Sequence, residues 1–299
     1  MKILLFGKNG QVGWELSRSL QPLGEVITLD RKKADFSNPE SLRGIVQSIK
    51  PDVIVNAVAY TAVDKAEQEE SLATIINGVA VGVLAEEAKS INALLIHYST
   101  DYVFDGSKAT PYSEEDQPNP INAYGRSKLV GEEIVRKTGC RHLIFRASWV
   151  YAAHGNNFAK TMLKLAAERD ELKVVADQFG APTSAELIAD VTALTLHRII
   201  TNPVLSEKIS GIYHLTASGK TSWHGFARLI LESSIKNGRN FQISPEQVGE
   251  IMTVDYPLPA KRPTNSCLVT DKLQLTFGLL LPAWQQYVER TVLEIQENR

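Results

Sequence analysis

Tyr124 and Lys128 stand four residues apart in the stretch NAYGRSK, and no other of the nine tyrosines has a lysine at that spacing. Positions i and i+4 of an α-helix share one face, so phenol and ammonium are expected side by side. A phenol with its ordinary pKa of about 10 is a weak acid–base group at neutral pH, and a neighbouring ammonium lowers that value. Lowering it by about 3 units asks for roughly 4 kcal/mol of differential interaction. Upstream, STDYVFDG follows the apolar run ALLIHY. Ser99, Thr100 and Asp101 therefore bring two hydroxyls and a carboxylate to the place where a buried strand reaches the surface. Ligands of open parallel sheets sit beyond the C-terminal ends of the strands. There Thr100 or Ser99 can hydrogen-bond a carbonyl that Tyr124 protonates, which is general acid chemistry.

A second set of residues points to a dinucleotide. Gly7, Gly10 and Gly13 are spaced G-x-x-G-x-x-G, with Lys8, Asn9, Gln11 and Val12 between them, directly after the apolar run KILLF. Glycines there permit a tight turn and a close approach of backbone N–H groups to a pyrophosphate, while the start of the following helix adds partial positive charge. The second apolar run, EVITLD, ends at Asp30. An acid at that place takes the adenosine ribose hydroxyls and favours NAD, whereas Arg31, Lys32 and Lys33 beside it suit the 2′-phosphate of NADP. The two signals conflict, and both NADPH and NADH remain open. Asp35 and Phe36 are expected along the adenine, and Ala57, Val58, Ala59 and Tyr60 at the end of the third strand, where the cofactor crosses.

The elements that must position these groups alternate. KILLF, EVITLD, DVIVNA, ALLIHYS and HLIFRA read as strands, and QVGWELSRSLQ, NPESLRGIVQSIK, EESLATIINGVAVGVLAEEAKS and NAYGRSKLVGEEIVRKTG between them as helices. That rhythm predicts an α/β fold, a Rossmann-type doubly wound parallel sheet with helices on both faces. Ser37 or Asn38 before Pro39 is a helix-start signal. After Arg146 the rhythm loosens: helix NFAKTMLKLAAERD, strand LKVVA, polar turn DQFGAPTS, helix AELIADVTALTLHRII, strand GIYHLTA and a helix opening at Thr221 or Ser222. The text is irregular and Pro-rich beyond residue 240 and closes on an amphipathic helix, PAWQQYVERTVLEIQ. Residues 1–148 are thus expected to form the cofactor domain and 149–299 a smaller, mainly substrate-binding α/β domain, with some elements crossing back to the sheet.

Composition narrows the class. The 299 residues are 43% hydrophobic and 22% charged with a net charge of −2, which argues against a nucleic-acid-binding surface. Cys140 and Cys267 read as reduced thiols rather than a disulfide framework. The apolar run at the N-terminus is short for a signal peptide, and no run reaches membrane-spanning length. A cytoplasmic protein without membrane or nucleic-acid partners is expected.

The glycine spacing, the Ser/Thr at the end of the fourth strand and Y-x-x-x-K together resemble the extended short-chain dehydrogenase/reductases. Within that group STDYVFDG, NAYGRSK, FRASWVY, GNNFAKTML, DQFGAPT, YHLTASGKTSW and RPTNSCL resemble the dTDP-4-dehydrorhamnose reductases, and the resemblance covers essentially the whole chain. It implies reduction of the C4 keto group of a dTDP-sugar by NADPH or NADH, a step in making nucleotide-sugar precursors of cell-envelope polysaccharide. It implies Thr100, Tyr124 and Lys128 as the catalytic set, with Tyr124 giving the proton and Lys128 holding the nicotinamide ribose. Val63, Ser99, Thr100, Asp101, Tyr124, Trp149, Asn157 and Arg262 become expected substrate contacts. Asp101 either touches the sugar or fixes its loop. Arg262 either meets the diphosphate, which a guanidinium fits, or ties the irregular tail to the body through a salt bridge. The resemblance further implies a homodimer, with magnesium at the contact and Glu15, Glu186 and Glu294 as its ligands. Related epimerases and dehydratases, and a non-catalytic cofactor-sensing subunit on the same fold, are the alternatives. Thr100-Asp101-Tyr102 lacks the second acid that a dehydratase uses, and a sensor has no use for an intact acid set.

Overall fold

The computed structural model describes residues 1–297, without the side chains of residues 206 and 207. Six strands form one sheet: Lys2–Phe6 (β1), Glu25–Leu29 (β2), Val53–Asn56 (β3), Leu94–Thr100 (β4), Arg141–Ala147 (β5) and Gly211–His214 (β6). Their order across the sheet is β2-β1-β3-β4-β5-β6, and every neighbouring pair is parallel. The strands are apolar almost throughout because both faces are covered. Ile3, Leu5, Val55, Ile96 and Phe145 point into one core, and Leu4, Phe6, Ile54, Leu95 and Ile144 into the other. β6 comes from the second half of the chain and closes the edge beside β5.

The longer helices are Gln11–Ser19 (α1), Ser41–Ile49 (α2), Glu70–Ser90 (α3), Ala123–Thr138 (α4), Phe158–Glu168 (α5), Ala185–Thr201 (α6), Trp223–Lys236 (α7) and Trp284–Glu297 (α8). Caps set several starts: Asn122, Asn157, Ser184 and Ser222 each accept from a backbone N–H in the first turn of α4, α5, α6 and α7. α2 begins later than Ser37 or Asn38, because residues 35–40 form turns in which Asp35 Oδ1 accepts from the Ser37 N–H at 3.0 Å. α3 is long and apolar enough to cross a membrane by length and composition, yet most of it is buried inside the fold. It contains one π-helical turn, Ile75–Val79.

The second half adds three small ladders. Leu172–Val175 pairs in parallel with Val248–Ile251, Val150–Tyr151 pairs with Thr183–Ser184, and Phe179–Gly180 pairs antiparallel with Thr221–Ser222. The segment read as irregular thus holds a strand, Val248–Ile251, and a short helix, Asp271–Phe277. Both escape periodicity because each spans no more than about two repeats of its own pattern.

Candidate active site

The sheet order reverses direction between β1 and β3, and the glycine loop opens there. Gly7 has φ +88°, and a Cβ on it would sit 2.9 Å from the Ala57 carbonyl. A Cβ on Gly13 would lie 2.0 Å from the Gly7 oxygen. Only glycine lets α1 close on the loop and the loop close on the end of β3. Gly10, the N-cap of α1, makes no side-chain cap, so backbone N–H groups at the helix start remain for an anion. The loop is therefore a cradle that fits a pyrophosphate. Gln11 and Val12 form the first turn behind it, and the Asn9 carbonyl meets the His154 ring at 3.1 Å.

At the tip of β2, Asp30 Oδ1 accepts from the Lys32 and Lys33 N–H groups at 3.1 and 3.3 Å, so the acid shapes its own turn. The Arg31 side chain is exposed, in loose contact with Asp35 at 4.0 Å. Phe36 is buried edge-on against Phe6, which commits its ring to the core beneath the loop. Tyr60 donates its hydroxyl to Glu69 at 2.8 Å. Its backbone is held by Asn77 from the π-turn of α3, which accepts from the Tyr60 N–H and donates to the Tyr60 carbonyl. Ala57 and Ala59 line the same partly exposed stretch after β3.

Thr100 ends β4, and its hydroxyl lies close enough to the Tyr124 phenol to lower the phenol's pKa. Thr100 Oγ1 also accepts from the Tyr102 N–H at 3.2 Å and donates to Asp101 Oδ1 at 3.1 Å. Tyr124 sits in the first turn of α4, and that turn is pressed against Tyr102: a Cβ on Gly125 would lie 2.1 Å from the Tyr102 oxygen. Lys128 is buried one turn later and donates to the Tyr98 carbonyl at 2.6 Å. Burial pushes the Tyr124 phenol up to about 12, with Thr100 opposing. The shift is opposite to the one expected from a neighbouring ammonium: desolvation of the phenolate dominates, the Asp101 carboxylate adds to it, and Lys128 is not among its causes. Burial brings Lys128 down to about 8, with Glu132 opposing. Asp101 is buried and pushed up to about 6, first by desolvation.

The other expected contacts are placed as follows. Ser99 does not share the Thr100 face. Its hydroxyl donates to Glu132 at 2.5 Å beneath α4. Trp149 is 8% exposed and stacks on Trp223 with ring centroids 3.7 Å apart. Asn157 caps α5 and donates from Nδ2 to the Ala152 carbonyl at 2.6 Å and to Gln11 Oε1 at 2.9 Å, so it joins the second half to the glycine loop. Val63 opens the short helix Val63–Ala66. Arg262 is held by Asp64 of that helix and donates to the Ala260 carbonyl. Glu15 and Glu186 are pushed up by burial, opposed by Arg18 and Arg290 respectively, and Glu294 is exposed nearby. Among the described residues, no three His, Cys, Asp or Glu side chains are arranged to hold a metal ion. The three acids do not fit a magnesium site within one chain.

The family model described as the RmlD substrate binding domain matches residues 1–297. A dTDP-4-dehydrorhamnose reductase of Shigella flexneri is 50% identical over 299 residues, covering 99% of this chain and 98% of that protein. The chain belongs to the dTDP-4-dehydrorhamnose reductase family. Two solved members share its fold: the Clostridium acetobutylicum reductase, with TM-score 0.88 and 38% identity over 99% of this chain and 100% of that one, and the Bacillus anthracis reductase in complex with NADP, with TM-score 0.86 and 35% identity over 98% and 99%.

Within this reductase family fold, four buried polar residues around α4 carry no spacing signal in the sequence. Glu132 lies one turn beyond Lys128 and receives two hydrogen bonds from Arg146 of β5, at 2.9 and 2.6 Å. Asn56 and His97 lie side by side on β3 and β4. Each sits inside an otherwise apolar strand or on a helix face four residues from a site residue. That position is the one signal available, and it becomes useful only once the strand register is known.

Proposed function

We propose that the chain reduces the C4 keto group of dTDP-4-dehydro-L-rhamnose to dTDP-L-rhamnose, with hydride from NADPH or NADH. The observation that carries this reading is the placement of Thr100 at the C-terminal end of β4 beside Tyr124 in the first turn of α4, with Lys128 buried one turn on. Tyr124 stays protonated through neutral pH, as a general acid must, and gives its proton to the C4 oxygen. Thr100 orients that oxygen. Lys128 holds the nicotinamide ribose and stabilises the phenolate that forms. The cofactor supplies the hydride when bound, and Gly7, Asn9, Gly10, Gln11, Val12 and Gly13 hold its pyrophosphate. NADP in the Bacillus anthracis reductase supports a nicotinamide cofactor here. A cytoplasmic homodimer acting on the dTDP-sugar, with neither membrane nor nucleic acid as partner, completes the reading.

The test is turnover of a dTDP-4-keto-6-deoxy-L-hexose with each cofactor, with product stereochemistry read by NMR. One reduced cofactor consumed per sugar, with an L-rhamno product, is the expected result. Sugar conversion without net cofactor oxidation would assign the chain to epimerase chemistry instead.

A further inference from the structure

Asn56 and His97 are both fully buried, paired across β3 and β4, directly beneath Lys128. Hydrogen-bonding logic fixes the state of each. The Val58 backbone N–H points to Asn56 Oδ1 at 3.0 Å, and a backbone N–H can only donate. The amide oxygen therefore faces Val58 and its nitrogen faces His97, with Nδ2 3.2 Å from Nδ1. An amide nitrogen also only donates, so His97 Nδ1 must be the bare, accepting nitrogen. Burial holds the ring neutral, well below the ordinary histidine range. A neutral ring with a bare Nδ1 carries its hydrogen on Nε2, and Nε2 lies 3.5 Å from Lys128 Nζ. Against an ammonium, that N–H sets donor against donor. Against an amine, it meets a lone pair.

We propose that Asn56 and His97 are positioning residues for Lys128: the amide locks the imidazole as its Nε2–H tautomer, and that N–H selects the amine form of the lysine over the ammonium.

The other groups facing Lys128 leave room for this control. From β4 the Tyr98 carbonyl accepts from Nζ, and a carbonyl accepts from amine and ammonium alike. On α4, Glu132 lies one turn on and favours the ammonium, but its carboxylate is clamped by Arg146 of β5 and accepts from Ser99. Tyr124, one turn before, carries no charge until it has given up its proton. A lysine tuned in this way gains a proton when negative charge develops beside it. This consequence rests on the roles given to Tyr124 and Lys128 under the proposed reaction; the tautomer does not.

Two NMR measurements on the full chain test the inference without any turnover. Histidine labelled with 15N, with His97 assigned through His97→Gln, reports which ring nitrogen carries the hydrogen. Nε2–H between pH 6 and 9 is expected; Nδ1–H overturns the lock even in an enzyme that reduces its sugar normally. Lysine labelled with 13C, with Lys128 assigned through Lys128→Met, gives the Lys128 titration directly. In Asn56→Asp the carboxylate accepts from both Val58 and His97, which flips the tautomer and turns Nε2 into an acceptor. Lys128 should then bind its proton about tenfold more tightly, titrating about one pH unit higher. A flipped ring with an unmoved Lys128 overturns the coupling. If Asn56→Asp does not fold, the wild-type titration decides: a midpoint at the ordinary lysine value near 10.4 rules the inference out.

Discussion

Arg262 and Asp64 face each other through two paired hydrogen bonds, Nη1 to Oδ1 at 2.6 Å and Nη2 to Oδ2 at 2.8 Å. This fork joins the irregular tail to the short helix after β3, and Arg262 is only 13% exposed. Bidentate charge-assisted pairs are among the stronger polar contacts, but Asp64 is 40% exposed and solvent screens it. Asp64→Asn should therefore cost about 1 kcal/mol at pH 7. Arg262 holds the Asp64 carboxyl below its ordinary value, so the stabilisation is present above that value and is lost as pH falls through the lowered one. The gap between wild type and variant in urea denaturation should narrow as pH falls below about 4 and close once the lowered Asp64 value is passed. An equal gap at pH 7 and pH 3 would show that the pair is not ionic in origin.

Asp101 titrates in the opposite sense. Its folded value, about 6, lies above the ordinary carboxylate value because burial disfavours the charge. Such a group stabilises the fold below the ordinary value, and the contribution is lost as pH rises through 6. Asp101→Asn, which cannot ionise, should gain about 1–2 kcal/mol of stability relative to wild type between pH 5 and pH 8. Denaturation at the two pH values measures the change. A constant difference would mean that Asp101 is already charged at pH 5.

Tyr124→Phe removes the proton donor and keeps the ring, which packs edge-on against Tyr102 with centroids 5.9 Å apart. The expected loss is about 10²-fold or more in kcat, with unfolding and cofactor affinity little changed. Near-normal turnover at saturating cofactor would remove Tyr124 from the reaction.

Much of this was legible in the sequence because local chemistry announces it. The glycine loop, the strands before it and after it, and Tyr124 with Lys128 depend on spacing within one or two elements. What stayed hidden depends on register. Ser99 and Thr100 are neighbours in sequence, yet alternation along β4 sends one hydroxyl to Glu132 and the other to the Tyr124 side, where it bonds Asp101 and the Tyr102 N–H. Asp35 and Phe36 are expected along the adenine, and only the packing against Phe6 shows the Phe36 ring in the core. Arg262 offered two partners by charge alone, and nothing in the chain order brings Asp64 to it.

Cofactor preference should turn on the tip of β2. Arg31 is exposed with only a loose contact to Asp35, so its guanidinium is available to a 2′-phosphate. Arg31→Ala should lower kcat/KM for NADPH relative to NADH by about tenfold. Asp30→Ala should move the ratio the other way by relieving repulsion, while loosening the turn that Asp30 caps. Ratios unmoved in both variants would place ribose recognition elsewhere.

Trp149 decides whether the wall between β4 and β5 belongs to the sugar. Its backbone is left-handed at φ 50°, and its indole stacks on Trp223 while its edge lies against Gly180. Removing the indole outright should destabilise the fold by about 3–5 kcal/mol, which would confuse binding with folding. Gly180→Ala is the cleaner probe. Its Cβ would come 2.7 Å from Trp149 Cε2, so the ring must shift while every aromatic atom is kept. Overpacking of this kind costs about 1–3 kcal/mol. If the indole recognises the sugar, Gly180→Ala should raise KM for the dTDP-sugar about tenfold and leave the Kd for NADPH unchanged. Trp149→Phe, which keeps a smaller aromatic wall, should do the same with a milder loss of stability. If both variants melt early yet bind the sugar normally, Trp149 is a packing residue, and the wall of the sugar site lies elsewhere along the cleft.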